Sequence, residues 1–269
     1  MHPSDTGTKT LETHQPCIRC SYDLYGLPLS GSCPECGVAV ERSLRGDLLQ
    51  YADDNYLATL LRGVSLIMFG ILAHLVLFIL AMFAGIAGGA GIGFALSILS
   101  LAATATGLYG YFLYASPDPG QLSNNRGEKP RQILRVAIVV SAIAAIGQIA
   151  LGGLALFMAP TPGQVGAAEG VMMLSAVAGL AGSVAWIVQF FAAMLYTKWL
   201  SPRIPSSRVL KRASLLMWLG PVLFLLFCTV VTPLIALIMY YNMFSWIRKA
   251  LITIRDEGEY FDDPTKILN

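Results

Sequence analysis

The chain is short of charge. Only 13% of its 269 residues are Asp, Glu, Lys or Arg, against about 25% in an ordinary soluble domain, which excludes a simple soluble globule. The formal net charge of +2 is too small to argue for a nucleic-acid partner, and none is expected. The long apolar runs contain no charged side chain. Proton relays, ion-coupled carriers and charged selectivity rings normally need at least one, which argues against a proton-coupled pump. Histidine is scarce as well. His2 and His14 lie in the polar opening segment, which leaves His74 as the one histidine in an apolar run and rules out a two-histidine haem site within one protomer. The opening segment has no charged stretch feeding a short apolar one, so no cleavable signal peptide is expected. No serine sits in a nucleophile motif, and no lysine follows the glycines of 85–93 as a phosphate loop would require. No catalytic constellation is recognisable.

Apolar residues, by contrast, make up 55% of the chain. They fall in runs of about 20, long enough at 1.5 Å per residue to cross about 30 Å of hydrocarbon. The expected fold class is an all-α polytopic membrane protein with a small N-terminal head. The expected partner of its surface is the lipid bilayer.

Four of the five cysteines lie in the head as two C-x-x-C pairs, Cys17/Cys20 and Cys33/Cys36, separated by twelve residues. That spacing brings four thiolates round one tetrahedral ion, each pair forming a tight turn whose backbone N–H groups can reach the sulfurs. A structural zinc ion is expected, because four thiolates leave no position for a catalytic water. A rubredoxin-like iron site and paired disulfides are the alternatives. Gly37 follows the second pair and permits a positive φ, whereas Ser21 stands in the same place after the first. His14 is read as a surface residue. A ribbon this small cannot bury a sufficient core, so metal binding is expected to supply most of its folding free energy.

The chain divides into a flexible start (1–13), the ribbon (14–40), a linker with an interfacial helix (41–63), a bundle (64–247) and an acidic tail (248–269). Asp53, Asp54 and Asn55 offer an N-cap for the interfacial helix, with Leu57, Leu60, Leu61 and Val64 on one side. Four spans are expected at 64–84, 92–114, 136–158 and 171–196. The joints within the two pairs carry no Lys or Arg, whereas the other connections hold Arg126, Lys129, Arg131 and Arg135, then Lys198, Arg203, Arg208, Lys211 and Arg212. The positive-inside rule therefore places the head and the basic connections in the cytoplasm, with the chain in the inner membrane. A reducing cytosol also keeps the cysteines available to zinc.

The last uncharged stretch, 213–247, would be about 52 Å long as one helix. Thr232-Pro233 reads as a helix start, so a hairpin of 215–231 and 233–246 is expected, giving six helices and a cytoplasmic C-terminus. One proline-kinked helix would give five. Tyr109, Tyr111, Tyr114, Tyr196, Trp199, Trp218, Tyr240, Tyr241 and Trp246 cluster toward the cytoplasmic interface and read as anchors. Leu113-Tyr114 and Leu195-Tyr196, each followed by Ser-Pro, are a faint internal echo. Inside the runs, His74, Gln148 and Gln189 form a candidate polar site. At matched depth His74 and Gln148 are expected to hydrogen-bond, as interhelical glue of about 0.6 kcal/mol or as ligand contacts. Small residues at four-residue spacing, Ser175/Gly179/Ser183, Ala102/Thr106/Gly110 and Gly85/Gly89, suit close helix packing. Cys228 behaves as a small hydrophobe.

The run from Cys17 to Pro28, with Cys33-Pro34-Glu35-Cys36-Gly37, resembles the N-terminal zinc ribbon of a group of uncharacterised bacterial multi-spanning membrane proteins. The likeness extends to Ser116-Pro117-Asp118-Pro119 and Arg203-Ile204-Pro205. It implies a zinc-binding head on a helical bundle and carries no activity with it. Two functions are therefore expected on the residues alone. One is a zinc ribbon that is structural or docks a cytoplasmic protein or a second copy, with the bundle as anchor. The other is a carrier or channel for a neutral or lipid-like solute.

Overall fold

The computed structural model describes residues 10–45, 48–87, 90–119, 128–157, 165–204, 207–225 and 231–257. The start of the chain to residue 9, residues 88–89 and 158–164 of the two expected joints, Cys228 and the acidic tail from 258 onward lie outside them. Among the described residues seven α-helices follow one another: α1 (Val40–Arg45), α2 (Asp54–Ala87), α3 (Ala90–Tyr114), α4 (Glu128–Phe157), α5 (Val165–Leu200), α6 (Ser207–Leu225) and α7 (Val231–Glu257). Short 3-10 turns occupy Leu49–Tyr51 and Ser201–Arg203. Among the described residues, four helices are long and apolar enough to cross a membrane, over Asp54–Ala84, Ile92–Tyr114, Glu128–Leu154 and Glu169–Arg203.

The long helices form a closed ring in chain order. Helix α2 packs on α3, α3 on α4, and so on to α7, which returns to α2. Glycine sets how closely α2 and α3 approach. A Cβ on Gly63 would lie 2.6 Å from the Tyr114 backbone nitrogen, and one on Gly110 would lie 2.8 Å from that of Ile67. Backbone cannot yield there, so only glycine fits. Of the small residues expected at this interface, Gly110 is in it, whereas Ala102 is exposed and Thr106 bonds its own helix at the Ala102 carbonyl.

The ring is packed densely at one end. Tyr114, Tyr196 and Phe244 are fully buried there, with Leu60, Leu134, Leu200 and Leu216 around them. Tyr114 meets Tyr196 edge to face at 5.2 Å and Phe244 at 5.6 Å. The two tyrosines of the sequence echo thus pack against one another. Their hydroxyls are accommodated: Tyr111 bonds Tyr240, and Tyr114 bonds Thr197 Oγ1 at 2.9 Å. Four of the expected interfacial anchors, Tyr111, Tyr114, Tyr196 and Tyr240, therefore belong to the packed core, and the hydroxyls of Tyr111, Tyr114 and Tyr240 have partners there. Trp199 and Trp246 instead lie beneath the guanidinium groups of Arg203 and Arg212, each 5.1 Å from the ring centre. Toward the other end the helices expose Phe69, Val76, Phe83, Ile143, Met173 and Val184. Such a surface belongs against hydrocarbon.

Two expectations change. The interfacial helix of the linker is not separate, since α2 runs unbroken from Asp54 and buries Leu57, Leu60 and Val64. No proline stands between residues 54 and 64, and Gly63 is held in the helix by its close contact with α3, so the two segments fuse. Within 213–247 the described residues form two helices, α6 as far as Leu225 and α7 from Val231. Gly220 of α6 and Tyr240 of α7 both approach Phe190, while Arg212 lies over Trp246, so α6 and α7 are antiparallel. Helix α7 also continues eleven residues beyond Trp246, into what was expected to be tail. Ile247, Ala250, Leu251 and Ile254 recur at helical spacing and are all buried.

Asp118 and Arg203 form a largely buried ion pair between the segments that follow α3 and α5. These are the charged residues of the two short motifs that the resemblance singled out in the membrane part. The pair ties the two hairpins together at the end that also carries Arg135, Lys198, Arg212 and Arg248.

Candidate metal centre

The head is built twice from one plan. Cys17 and Cys20 stand sixteen residues before Cys33 and Cys36, and three backbone hydrogen bonds and a bridge around each knuckle repeat at that offset. The Cys17 N–H donates to the Tyr22 carbonyl at 2.7 Å and the Cys33 N–H to that of Val38 at 2.8 Å. Ser21 and Gly37 donate to the carbonyls of Cys17 and Cys33, both at 2.9 Å. Leu24 and Val40 close the two turns by donating to Gln15 and Gly31, again both at 2.9 Å, and both side chains are fully buried. Isolated antiparallel bridges, Pro16 with Asp23 and Ser32 with Ala39, flank the knuckles. Ser21 has φ +63° and Gly37 φ +73°. The turn demands the left-handed region at this step, and the first knuckle accepts a serine in it.

The plan brings the four thiols together crosswise. Cys17 Sγ lies 3.5 Å from Cys36 Sγ, Cys20 Sγ lies 3.6 Å from Cys33 Sγ, and all four sulfurs fall within 4.8 Å of one another. A tetrahedron of sulfurs about 2.3 Å from a shared ion has edges of about 3.8 Å. The cluster can hold a metal ion with little adjustment. All four cysteines are free thiols, and the separations are far beyond a disulfide bond of about 2.05 Å.

The surroundings favour one negative sulfur and resist more. Burial pushes the Cys17 thiol up, but backbone N–H groups of Cys20 and Arg19, with Cys36 and Ser43, outweigh it and bring it down to about 6. The Tyr22 N–H favours the Cys20 thiolate, yet desolvation and the other three thiols push Cys20 up to about 12. The Val38 N–H plays the same part at Cys36, sixteen residues on, where desolvation and Cys17 also win and raise the thiol. One charge is thus readily accepted and further ones repel, until a cation neutralises them.

Ser43 was not foreseen. It sits buried on α1, its hydroxyl donates to Cys17 Sγ at 3.8 Å, and it accepts the Ile18 N–H at 3.4 Å. No cysteine or histidine spacing points to it, and only the fold of α1 back onto the knuckle reveals it. His14 stays outside the cluster. Its Nδ1 lies 2.6 Å from Asp23 Oδ2 and its ring stacks on Tyr25 at 4.5 Å. His14 in turn holds the Asp23 carboxyl below its ordinary value.

The intramembrane candidates do not meet one another. His74 reaches from α2 to α3, with Nδ1 2.8 Å from the Gly70 carbonyl and Nε2 3.1 Å from Thr104 Oγ1. Gln189 is buried and accepts a long bond, 3.4 Å, from Ser141 on α4. Gln148 lies on α4 over Gly179, where a Cβ would come within 2.8 Å of its Nε2. Matched depth was not enough to pair His74 with Gln148, because the helical phase aims His74 at α3 and Gln148 at α5 and at a cavity between α3 and α4.

Fold and site together define an all-helical chain with four membrane-compatible helices and a four-cysteine head able to hold a metal. Comparison with protein-family models, with curated proteins and with solved structures finds no match to the chain.

Proposed function

We propose that the head is a cytoplasmic zinc ribbon that docks a protein partner or a second copy of the chain, and that the six-helix ring anchors it in the inner membrane. The observation that carries this reading is the closed cluster of four thiols, which fills a tetrahedral ion's positions and leaves none for chemistry. Zinc suits it better than a redox ion because the site needs only to hold the two knuckles together. Tyr22 and Tyr25 stand exposed on the segment between the knuckles, as aromatic contact residues for a partner. The antiparallel course of α6 and α7 supports six crossings and a C-terminus on the same side as the head, in keeping with the basic end. Cross-linking of the full-length chain in cells, followed by mass spectrometry, tests the docking role. The same partner should be lost with Cys33→Ser and with Tyr22→Ala/Tyr25→Ala. Equal recovery from all three proteins refutes docking.

A second reading is carriage of a neutral or lipid-like solute. The charge-free cavity between α3 and α4 favours it. Transfer of a fluorescent neutral lipid between leaflets of vesicles containing the purified protein tests it, and a rate equal to that of protein-free vesicles excludes it.

A further inference from the structure

The seam between the α2–α3 and α4–α5 hairpins holds a cavity of about 270 Å³ with no charged residue in its lining. Phe94, Ser97, Ser100 and Thr104 contribute from α3, and Gln148 and Gly152 from α4. The polar groups are unevenly satisfied. Ser97 donates its hydroxyl proton to the Gly93 carbonyl at 3.0 Å, and the single Thr104 proton is shared between the Ser100 carbonyl at 2.8 Å and His74 Nε2 at 3.1 Å, so both hydroxyl oxygens keep lone pairs to accept with. His74 braces Thr104 from α2. Gln148 is exposed and forms no hydrogen bond with another described residue, which leaves an amide with two donors and an acceptor at membrane depth. Such a group is costly against hydrocarbon and is kept where something polar meets it. The space beside it is preserved: a Cβ on Gly152 would touch nothing within 4 Å.

We propose that this crevice binds the polar end of a neutral lipid drawn from the bilayer, a diacylglycerol-like molecule with an ester carbonyl and a free hydroxyl. The Gln148 amide donates to the carbonyl, the Ser97 and Thr104 oxygens accept from the hydroxyl, and the acyl chains lie along the apolar surfaces of α3 and α4. The uncharged lining disfavours a phosphate or an ammonium headgroup. The inference rests on the second reading above for the kind of ligand but does not require transfer.

The test uses the full-length protein in phosphatidylcholine nanodiscs with a diacylglycerol carrying a diazirine beside its ester. After illumination, mass spectrometry should locate the adduct within 94–104 and 145–153. Unlabelled diacylglycerol should displace it and hexadecane should not. Gly152→Phe, which fills the space, and Gln148→Leu, which removes the donors at similar volume, should each cut labelling at least tenfold, while Val177→Phe on exposed α5 should leave it unchanged. Adducts spread over residues such as Phe83 and Met173, equal displacement by hexadecane, or full labelling in both variants overturns the proposal. Should Gly152→Phe fail to fold, Gln148→Leu and the wild-type competition decide. Labelling at the seam with no leaflet transfer retains the site and ends the carrier reading, whereas transfer without labelling there does the reverse.

Discussion

Removing Asp118 should damage the bundle more than any exposed charge can. Its carboxylate and the Arg203 guanidinium are 3% and 8% exposed, so the solvent screening that makes surface pairs nearly worthless does not apply. Asp118→Ala removes the carboxylate that neutralises a buried guanidinium, which cannot shed its proton, at a cost of about 3–5 kcal/mol. The lower end is expected, because Arg203 keeps the face of Trp199. Arg203→Met should cost less, since a stranded carboxyl can take up a proton. The double variant Asp118→Leu/Arg203→Met should recover to within about 1 kcal/mol of the wild type, with apolar groups in place of the pair. Unfolding of the purified chain in mixed micelles by increasing SDS, followed by tryptophan fluorescence, measures all three. Three variants within about 0.5 kcal/mol of the wild type would show that the pair is solvated, and the reasoning that it pins the hairpins would fail.

Three further outcomes follow from local geometry. Gly63→Ala and Gly110→Ala should each destabilise the bundle by about 1–3 kcal/mol, because the new methyl meets backbone, whereas Gly152→Ala should be neutral or stabilise by up to about 1 kcal/mol; the same SDS titration separates them. Ser21→Gly should stabilise the head by about 0.5–1 kcal/mol by relieving a left-handed serine, visible as slower proteolysis of residues 10–45. Metal uptake should release fewer than four protons at pH 7, because Cys17, at about 6, is already mostly thiolate there. Its lowered thiol carries charge above that value and loses it below, so at pH 5 about one more proton should be released and affinity should fall. Indicator titration in weak buffer reads both.

The sequence made the head legible because metal ligation constrains spacing. Two C-x-x-C pairs have few ways to surround an ion, and the serine in the glycine place marked the strained φ in advance. The apolar runs were equally plain, since hydrocarbon thickness sets their length. What escaped depended on helical phase and on neighbours. Depth in a run says nothing of the face a side chain occupies, so His74 and Gln148 went to different partners. The interfacial reading of Tyr111, Tyr114, Tyr196 and Tyr240 failed for a related reason: an aromatic near a helix end suits either lipid or core, and only the facing hydroxyl decides. Helix α7 outran its expected end because Arg248 and Lys249 suggested a tail, although Ile247, Ala250, Leu251 and Ile254 already repeated at helical spacing on the opposite side. The ion pair of Asp118 with Arg203 joins positions 85 residues apart, a separation at which sequence gives no pairing signal.

Elemental analysis of the full-length protein purified without added metal, alongside Cys33→Ser, bears most directly on the four-thiolate head. One zinc per chain should be present in the wild type and absent from the variant, whose residues 10–45 should become protease-sensitive while the helical circular dichroism of the bundle persists. Wild-type protein that carries no metal yet keeps residues 10–45 resistant to protease would contradict it.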